Sequence, residues 1–239
     1  KSVAGISTTP KPIDCVVVRE VTEGVYSGIE YDAGPDAACA VRLITRGAST
    51  RAAKVAFEQA MQRRKRVTAV HKVGALKRTD GLFLECVRAV AADYPEVELE
   101  TANVDACAMH MVQDPGHYDV ILATNVFGDI LSDLAIGLAA GLGLAPSGCV
   151  GDRWAYFEPV HGTAPDIAGK GIANPCATIL STAMLLRHLG ETKAGDAVEG
   201  AVWDVLEAGK VRTGDIGGKA TSAEMTAAII AATKARLGA

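Results

Sequence analysis

Several features are scarce in this sequence of 239 residues. Aromatic residues make up only 5% of it, and the formal net charge is −4. No apolar stretch is long and unbroken enough to span a bilayer, because the most apolar segment, Ile130 to Leu144, contains Asp133 and several glycines. Basic residues are scattered, which excludes the electrostatic footprint of a nucleic-acid-binding protein. We therefore expect neither a nucleic-acid partner nor a membrane partner.

The six cysteines lack the spacing of a zinc site or a redox motif. No C-x-x-C pair occurs, and the intervals between cysteines are wide and irregular. Cys15 lies among aliphatic residues in Asp14-Cys15-Val-Val-Val18. These features predict free, buried thiols in a reducing compartment rather than disulfides. We expect a cytoplasmic location, with the mitochondrial matrix as the alternative.

Apolar runs alternate with amphipathic segments along the chain. The runs predict strands, and they cover residues 13–18, 67–70, 97–99 and 120–123. The composition, 49% hydrophobic and 22% charged, is typical of soluble globular proteins. Strands that alternate with helices predict an α/β architecture.

Helix starts and ends are marked by capping residues. Ser49 is predicted to cap a helix to about Arg64 with an inward face, and Asp80 to cap the next. The inward face of the first helix is predicted to comprise Ala53, Phe57, Ala60 and Met61, and that of the second Phe83, Val87 and Val90.

Three later helices are expected, and one charged segment is expected to face solvent. The helices run from Phe127 to Ala140, from Asn174-Pro175 to His188, and from a T-x-x-E capping box at Thr221 and Glu224. The basic run 63–66, at a helix end before a strand, is predicted to be a solvated face.

Two aspartates lie four residues apart in Asn125-Val-Phe-Gly-Asp129-Ile-Leu-Ser-Asp133. On a helix this spacing puts both carboxylates on the same face, where they repel each other. A hard divalent cation would convert this repulsion into binding, since Mg²⁺ and Mn²⁺ prefer carboxylate oxygens. The alternative is that Asp129 caps a helix and Asp133 is solvated.

Three further candidates follow strands or glycines. Arg19 and Lys72 each come at the end of a predicted strand, where α/β proteins bind ligands. Arginine there can hold a carboxylate bidentately, and lysine can transfer a proton. A surface ion pair and a solvated lysine are the alternatives. Tyr26, in a glycine-flanked segment, could donate a proton, and the alternative is a core or turn tyrosine.

A loop from His161 to Asn174 is rich in Gly, Ala and Pro, which allows a ligand to approach the backbone closely. Its one acid, Asp166, could hold ribose hydroxyls. No G-x-G-x-x-G follows a strand, so a Rossmann dinucleotide fold is not indicated.

Taken together, these segments resemble the isocitrate/isopropylmalate dehydrogenase family, the β-decarboxylating dehydrogenases. Arg19-Glu-Val-Thr-Glu-Gly-Val-Tyr26-Ser-Gly resembles the family's R-E-N-T-E-G-x-Y-S-G. Val70-His-Lys72-Val-Gly-Ala-Leu-Lys-Arg-Thr-Asp80-Gly-Leu-Phe resembles V-H-K-A-N-I-M-K-x-x-D-G-L-F. The remaining matches are Ile44-Thr-Arg46, Asp105, the pair Asp129 and Asp133, Glu158-Pro-Val-His161-Gly-Thr-Ala-Pro-Asp166, and Arg212-Thr-Gly-Asp215-Ile-Gly-Gly. The resemblance covers essentially the whole chain.

The resemblance implies a metal site shared between subunits. Asp105, Asp129 and Asp133 would ligate Mg²⁺ or Mn²⁺, with Asp105 and Lys72 reaching across from a second subunit. A homodimer with shared active sites is therefore implied.

The resemblance also implies the chemistry. Arg19 would bind a carboxylate of the substrate, a tricarboxylate or dicarboxylate hydroxy acid. Lys72 would act through water as the base, and Tyr26, assisted by Lys72, would reprotonate the enolate after CO₂ leaves. The most similar motifs are those of isocitrate enzymes, which form 2-oxoglutarate and reduce NAD. 3-Isopropylmalate and homoisocitrate dehydrogenases are the alternatives.

The loop resembles the family's adenosine-binding loop. Asp166-Ile167 is similar to the NAD-type pair, because a carboxylate accepts hydrogen bonds from ribose hydroxyls and repels a 2′-phosphate. The implied cofactor-binding residues are Glu158, His161, Gly162, Thr163, Ala164, Pro165, Asp166, Ile167, Asn174 and Asp215.

The implied fold is a two-domain α/β fold with a non-Rossmann nucleotide site. Residues 1–143 would form the small domain for substrate, metal and dimerisation, and residues 144–239 the C-terminal half of the large nucleotide-binding domain. The family begins with a further segment of roughly a hundred residues, so the fold is expected to be incomplete at the N-terminus.

Two residues depart from the family pattern. Val21 replaces the asparagine of R-E-N-T-E-G, and Gly74 replaces an asparagine that in relatives helps to position nicotinamide and substrate. Loss of the polar contact at Gly74 could weaken binding or indicate a different acid. A non-catalytic regulatory subunit, or an inactive fragment, is therefore the alternative of another class.

Overall fold

The computed structural model describes residues 1–7, 11–139 and 141–238. The chain divides into two compact units, one formed by Lys11–Ala135 and the other by Lys1–Pro10 with Ile136–Ala239. We call the first the sheet unit and the second the helical unit. The predicted functional boundary at 143/144 lies a few residues after this division.

A four-stranded parallel sheet organises the sheet unit. In chain order its strands are β1 (Val16–Arg19), β4 (Arg66–His71), β5 (Glu98–Asn103) and β6 (Val120–Ala123). The spatial order is β1-β6-β4-β5, and every neighbouring pair is parallel. All four strands therefore end at one edge of the sheet, which we call the carboxyl edge.

Burial of the strands follows their place in the sheet. The central strands β4 and β6 are almost completely buried, as their continuous apolar sequence predicts. β1 lies at an edge of the sheet and is half-buried along its length. The strand predicted over residues 13–18 exists, but it begins three residues later, at Val16. Ile13, which precedes it, is buried.

Four helices accompany this sheet in the sequence: α1 (Arg46–Met61), α2 (Thr79–Ala91), α3 (Val104–Gln113) and α4 (Asn125–Ala139). The predicted end of α4 at Ala140 lies outside the described residues. Helices α1 and α2 pack their apolar faces into the core of the unit with β4 and β6. That core includes Phe57, Phe83, Val67, Val87 and Leu122.

Two predicted caps were wrong. The cap of α1 is Thr45, whose side chain accepts the Ala48 N–H, while Ser49 lies buried inside the helix. Asp80 lies in the first turn of α2 rather than before it. Its carboxylate is used by the neighbouring strand end instead, because Asp80 accepts a hydrogen bond from the backbone N–H of Lys72.

The predicted inward faces are correct apart from one residue. Ala53, Phe57 and Ala60 of α1 are fully buried, whereas Met61 is 36% exposed. Met61 is the last residue of the helix. In α2, Phe83, Val87 and Val90 are all buried as predicted.

The basic run 63–66 is only partly the predicted solvated face, because Arg64 is exposed but Arg63 is half-buried. Arg63 hydrogen-bonds both Asp14 and the fully buried Asp119, at 2.7 and 2.8 Å. The backbone N–H of Arg64 also donates to Asp119, at 2.9 Å. Arg63 and Arg64 therefore bind carboxylates at the amino ends of β1 and β6. Sequence reasoning missed this because the partners lie about fifty residues away.

Two short strands, β2 (Glu30–Asp32) and β3 (Ala38–Ala40), form an antiparallel hairpin that follows Tyr26 in the sequence. Its residues are mostly exposed.

The helical unit contains an antiparallel strand pair and three helices. The strands are β7 (Pro146–Val150) and β8 (Ala155–Pro159). The helices are α5 (Cys176–His188), α6 (Thr192–Ala208) and α7 (Ser222–Leu237). Its core consists of residues such as Leu180, Val202, Leu206 and Met225.

Helix starts in this unit follow the sequence closely. The capping box of Thr221 and Glu224 is present at α7. Helix α5 begins one residue later than predicted, and the Asn174 side chain accepts the N–H of Cys176 at 3.0 Å.

All six cysteines are free, and Cys86, Cys107 and Cys176 are buried. Among the described residues, the helices are too short or too polar for one to cross a membrane.

Candidate active site

The carboxyl edge of the sheet brings together residues from four distant segments. Arg19 ends β1, and Asn125 opens α4 two residues after β6. Lys72 directly follows β4, and Asp105 lies in the first turn of α3 directly after β5. Along the carboxyl edge, in the order of the strands, the residues are therefore Arg19, Asn125, Lys72 and Asp105.

Arg19 is held by the start of α4. Its Nε and Nη2 donate to the side-chain oxygen of Asn125 at 2.9 and 2.7 Å, and Nη1 pairs with Asp129. The guanidinium also lies 5.4 Å from the ring centroid of Tyr26. Asn125 in turn donates to the backbone oxygen of Glu23, at 2.8 Å. One amide therefore orients the arginine and anchors the turn that carries Tyr26.

Gly128 allows this close packing. A Cβ at this position would lie 2.7 Å from Cγ and 2.8 Å from Cβ of Arg19, closer than atoms can approach. Glycine inside a helix normally destabilises the helix, so we attribute its presence here to the close contact with β1, which leaves no room for a Cβ. Asn125 and Gly128 were not identified as site residues from the sequence, although Gly128 within an otherwise apolar helix was the available signal.

Tyr26 is 55% exposed, in a short 3-10 turn, Val25–Ser27. Its hydroxyl donates to the second carboxylate oxygen of Asp129, and this hydrogen bond raises the pKa of Tyr26 above its ordinary value. Asp129 is therefore bound by a guanidinium on one oxygen and a phenol on the other. It lies within α4 and does not cap it.

Asp133 lies one turn further along α4 and is exposed. The two carboxylates share one helix face, as their spacing predicts. Hard carboxylate oxygens of this kind suit Mg²⁺ or Mn²⁺. Within the described part of a single chain, no group of three or more His, Cys, Asp or Glu side chains is placed to hold a metal ion.

Lys72 and Asp105 form an ion pair, with Nζ and Oδ1 2.6 Å apart. The hydrogen bond from the lysine holds the pKa of Asp105 below its usual range. Next to Lys72, His71 is buried, which lowers the pKa of its imidazole. Its Nδ1 accepts the N–H of Val73 at 3.2 Å, so the histidine supports the turn after β4.

The predicted cofactor residues all lie in the helical unit. Glu158 is on β8 and exposed, and residues 162–166 form an exposed loop. Ala164 has φ +43°, a left-handed conformation that non-glycine residues rarely adopt. Such strain is maintained only when the surrounding structure requires it, and it is frequent at ligand sites.

Asn174 and Asp215 are brought together, with Nδ2 and Oδ2 3.0 Å apart. A Cβ at Gly143 would lie 2.6 Å from Asp215 Oδ2, so glycine permits this approach. His161 and Gly162 contact each other within the loop, where His161 Nδ1 lies 2.8 Å from the Gly162 oxygen.

A model of the isocitrate/isopropylmalate dehydrogenase family matches residues 3–229. The chain belongs to this family. Within it, the chain is 47% identical over 232 residues to a probable NAD isocitrate dehydrogenase subunit alpha, mitochondrial, of Drosophila melanogaster, and 97% of the chain is aligned. It is 52% identical over 225 residues, or 94% of the chain, to a 3-isopropylmalate dehydrogenase of Archaeoglobus fulgidus.

A solved structure of the family has the same fold. The crystal structure of isocitrate dehydrogenase from Methylococcus capsulatus superposes with a TM-score of 0.90 at 46% identity and covers 98% of this chain. The aligned part makes up 71% of that structure. It makes up 62% of the Drosophila relative and 68% of the Archaeoglobus relative, so the chain spans about two thirds of the length of these family members.

Proposed function

We propose that this chain carries the catalytic and cofactor-binding residues of a metal-dependent, NAD-linked dehydrogenase that oxidises and decarboxylates a 2-hydroxy acid with a β-carboxylate. The observation that supports this most directly is the carboxyl edge of the sheet. It presents a carboxylate-binding arginine, two clustered aspartates and a lysine–aspartate pair from four separate strand ends. The names of the family and of these relatives agree with this class of reaction.

Arg19 is proposed to bind a substrate carboxylate. Its guanidinium already binds a carboxylate of the chain itself, that of Asp129. Because Asn125 orients Nε and Nη2, the arginine would keep its direction when the partner at Nη1 is exchanged. A prearranged fork of this kind favours bidentate recognition of carboxylates.

Lys72 and Tyr26 are proposed to move the protons. Lys72, in its neutral amine form, would take the proton of the substrate hydroxyl through a water molecule, and its pairing with Asp105 keeps Nζ at the edge of the sheet. Tyr26 would return a proton to the carbon that loses CO₂, and its exposed position gives the phenol access to a ligand.

Asp129 and Asp133 are proposed to hold Mg²⁺ or Mn²⁺ together with Asp105 from a second subunit. The cation, when bound, would supply positive charge where negative charge develops during decarboxylation. A single chain offers two carboxylates on one helix face, which fits a site completed in a homodimer. We propose that residues 1–143 serve these roles and that residues 144–239 serve the nucleotide.

NAD is the proposed electron acceptor. Asp166 is exposed in its loop, and a carboxylate there would accept hydrogen bonds from both ribose hydroxyls and repel the 2′-phosphate of NADP. The other proposed contacts are Glu158, residues 161–165, Ile167, Asn174 and Asp215. Isocitrate is the proposed substrate, and 3-isopropylmalate and homoisocitrate are the alternatives. We place the protein in the cytoplasm, with the mitochondrial matrix as the alternative.

The decisive experiment measures NADH formation at 340 nm by the protein expressed from its full reading frame. Each of the three acids is supplied with Mn²⁺, and NADP replaces NAD in parallel. We expect turnover with one acid and NAD. Asp129→Asn and Asp133→Asn should weaken Mn²⁺ binding measured calorimetrically, whereas Asp93→Asn, an exposed aspartate of the same unit, should not.

The competing proposal is a non-catalytic regulatory subunit, and Gly74 favours it. Gly74 is exposed, and apart from its chain neighbours no described atom lies within 4 Å of where its Cβ would be, so this position itself offers no polar side chain. Binding of Mn²⁺ and NAD without turnover of any of the three acids would refute the enzyme and support this alternative.

A further inference from the structure

A buried carboxylate supports the backbone of Lys72. Asp80, in the first turn of α2, is fully buried. Its Oδ2 accepts the backbone N–H of Lys72 at 2.6 Å, and its Oδ1 pairs with Arg42. The side chain of Lys72 therefore originates from a backbone position that is hydrogen-bonded to an internal charge.

Arg42 extends this support to the neighbouring strand end. Its side chain is only 11% exposed, and Nη1 also donates to Thr79 at 2.7 Å. Nη2 donates to the hydroxyl of Thr124 at 2.8 Å, and the guanidinium lies 5.2 Å from the ring centroid of Phe127. Because Thr124 immediately precedes α4, one guanidinium joins the start of α2 to the start of α4.

The position of this ion pair is informative because burying charge is costly. Well-packed apolar residues generally stabilise a fold as well as a buried ion pair does, or better. What apolar residues cannot provide is a directional hydrogen bond to a backbone N–H together with a two-pronged donor that reaches a second segment. In this chain both connections end at the carboxyl edge of the sheet, one at Lys72 and one beside Asn125.

We propose that Asp80 and Arg42 are positioning residues for Lys72. Asp80 holds the backbone from which the lysine projects, and Arg42 fixes Asp80 to Thr124, which immediately precedes α4. This inference rests on the proposed function, in which the lysine transfers a proton. A misplacement of about 1 Å in a group of this kind is enough to lower catalysis by about a hundredfold.

The chain contains a matched control for Asp80. Asp119 is also fully buried, and it also accepts hydrogen bonds from a guanidinium, that of Arg63, and from a backbone N–H, that of Arg64. It differs in location, since it precedes β6 and lies at the amino edge of the same sheet. Asp80→Ala and Asp119→Ala therefore remove the same chemistry from opposite edges.

The experiment measures two properties of Lys72 that do not depend on turnover. One is hydrogen exchange of its amide, and the other is the rate at which an amine reagent labels its Nζ, quantified by peptide mass spectrometry. In Asp80→Ala we expect amide exchange to accelerate by tenfold or more and Nζ labelling to change at least threefold, roughly the effect of losing one hydrogen bond. In Asp119→Ala both rates should remain at the wild-type value.

Arg42→Lys provides a second variant in case Asp80→Ala does not fold. Lysine keeps the charge but cannot donate from two separated nitrogens, so the connection to Thr124 is lost. Nζ labelling of Lys72 should again change, and kcat should fall by about tenfold or more with little change in KM.

Wild-type exchange and labelling in both Asp80→Ala and Arg42→Lys would overturn the proposal, as would an equal change in Asp119→Ala. A protein without dehydrogenase activity would refute the proposed function, and the exchange and labelling rates would still decide whether the pair positions Lys72.

Discussion

The contact between Gly128 and Arg19 yields a quantitative prediction about helix α4. The change Gly128→Ala adds one methyl group to the interior of the helix. At Gly137, in the same helix, no described atom outside the helix's own backbone and the chain neighbours lies within 4 Å of the equivalent position, so Gly137→Ala is the matched control. The two substitutions are chemically identical and differ only in what the new methyl group meets.

The expected magnitudes follow from two opposing effects. Alanine in place of glycine stabilises a helix interior by about 0.5–1 kcal/mol. At Gly137 this gain is expected undiminished. At Gly128 the methyl group would lie 2.7 Å from Cγ and 3.2 Å from Cα of Arg19. Because these atoms belong to the strand end and not to a flexible side-chain tip, overpacking should cost about 1–3 kcal/mol.

We therefore expect Gly137→Ala to stabilise the protein. The free energy of unfolding of the Gly128→Ala variant should be about 1–3 kcal/mol lower than that of the Gly137→Ala variant. Urea unfolding followed by far-UV circular dichroism measures both free energies of unfolding. Equal stability of the two variants would show that the helix and Arg19 are not in close contact, and the packing argument for the site would then be wrong.

Three further predictions concern caps, thiols and the departure from the family pattern. Thr221→Ala should destabilise α7 by about 1 kcal/mol at neutral pH. Hydrogen bonds to Thr221 lower the pKa of Glu224, so the stability that the ionised Glu224 adds should disappear as pH falls below about 4. Urea titrations should therefore show a smaller difference between wild type and variant at pH 3 than at pH 7. Burial raises the pKa of Cys107 to about 11 and of Cys176 to about 12. Because these thiols ionise first in the unfolded state, the free energy of unfolding should fall by about 1.5–2 kcal/mol per thiol between pH 7 and pH 10. A wild-type stability that does not change over this range, or the same fall after both cysteines are replaced by alanine, would contradict this. Gly74→Asn should leave Tm within about 2 °C of the wild-type value, because the new Cβ meets open space. Under the proposed function, the substitution should lower KM for the acid or for NAD. An unchanged KM would show that the missing asparagine does not limit binding.

The elements of the fold that depend on local pattern were predicted well. The buried strand residues 67–70 and 120–123, and the capping box at Thr221, lie where periodicity and capping residues indicated. These signals are local, because strand burial and helix caps depend on residues within one or two turns of each other.

Predictions failed where a side chain serves a distant segment. Aspartate is a common helix-capping residue, yet the carboxylate of Asp80 binds the backbone N–H of Lys72 and the guanidinium of Arg42. The run of four basic residues, 63–66, was expected to be solvated; Arg64 is exposed, but Arg63 pairs with Asp14 and with the buried Asp119. Charge and capping propensity are visible in a sequence, whereas the partner of a charge depends on which segments the fold brings into contact.

The sequence by itself determined the α/β class, the strand ends that carry Arg19 and Lys72, the aspartate pair on one helix face, and membership of the family. Only the tertiary structure decided the strand order β1-β6-β4-β5 and hence the order of the side chains along the carboxyl edge. It also decided that Arg19 binds Asn125 and Asp129, more than a hundred residues away, and that Gly128 permits this contact. The physical reason is that periodicity records which face of an element is buried, while contacts between elements depend on packing and sheet pairing, which no local pattern encodes.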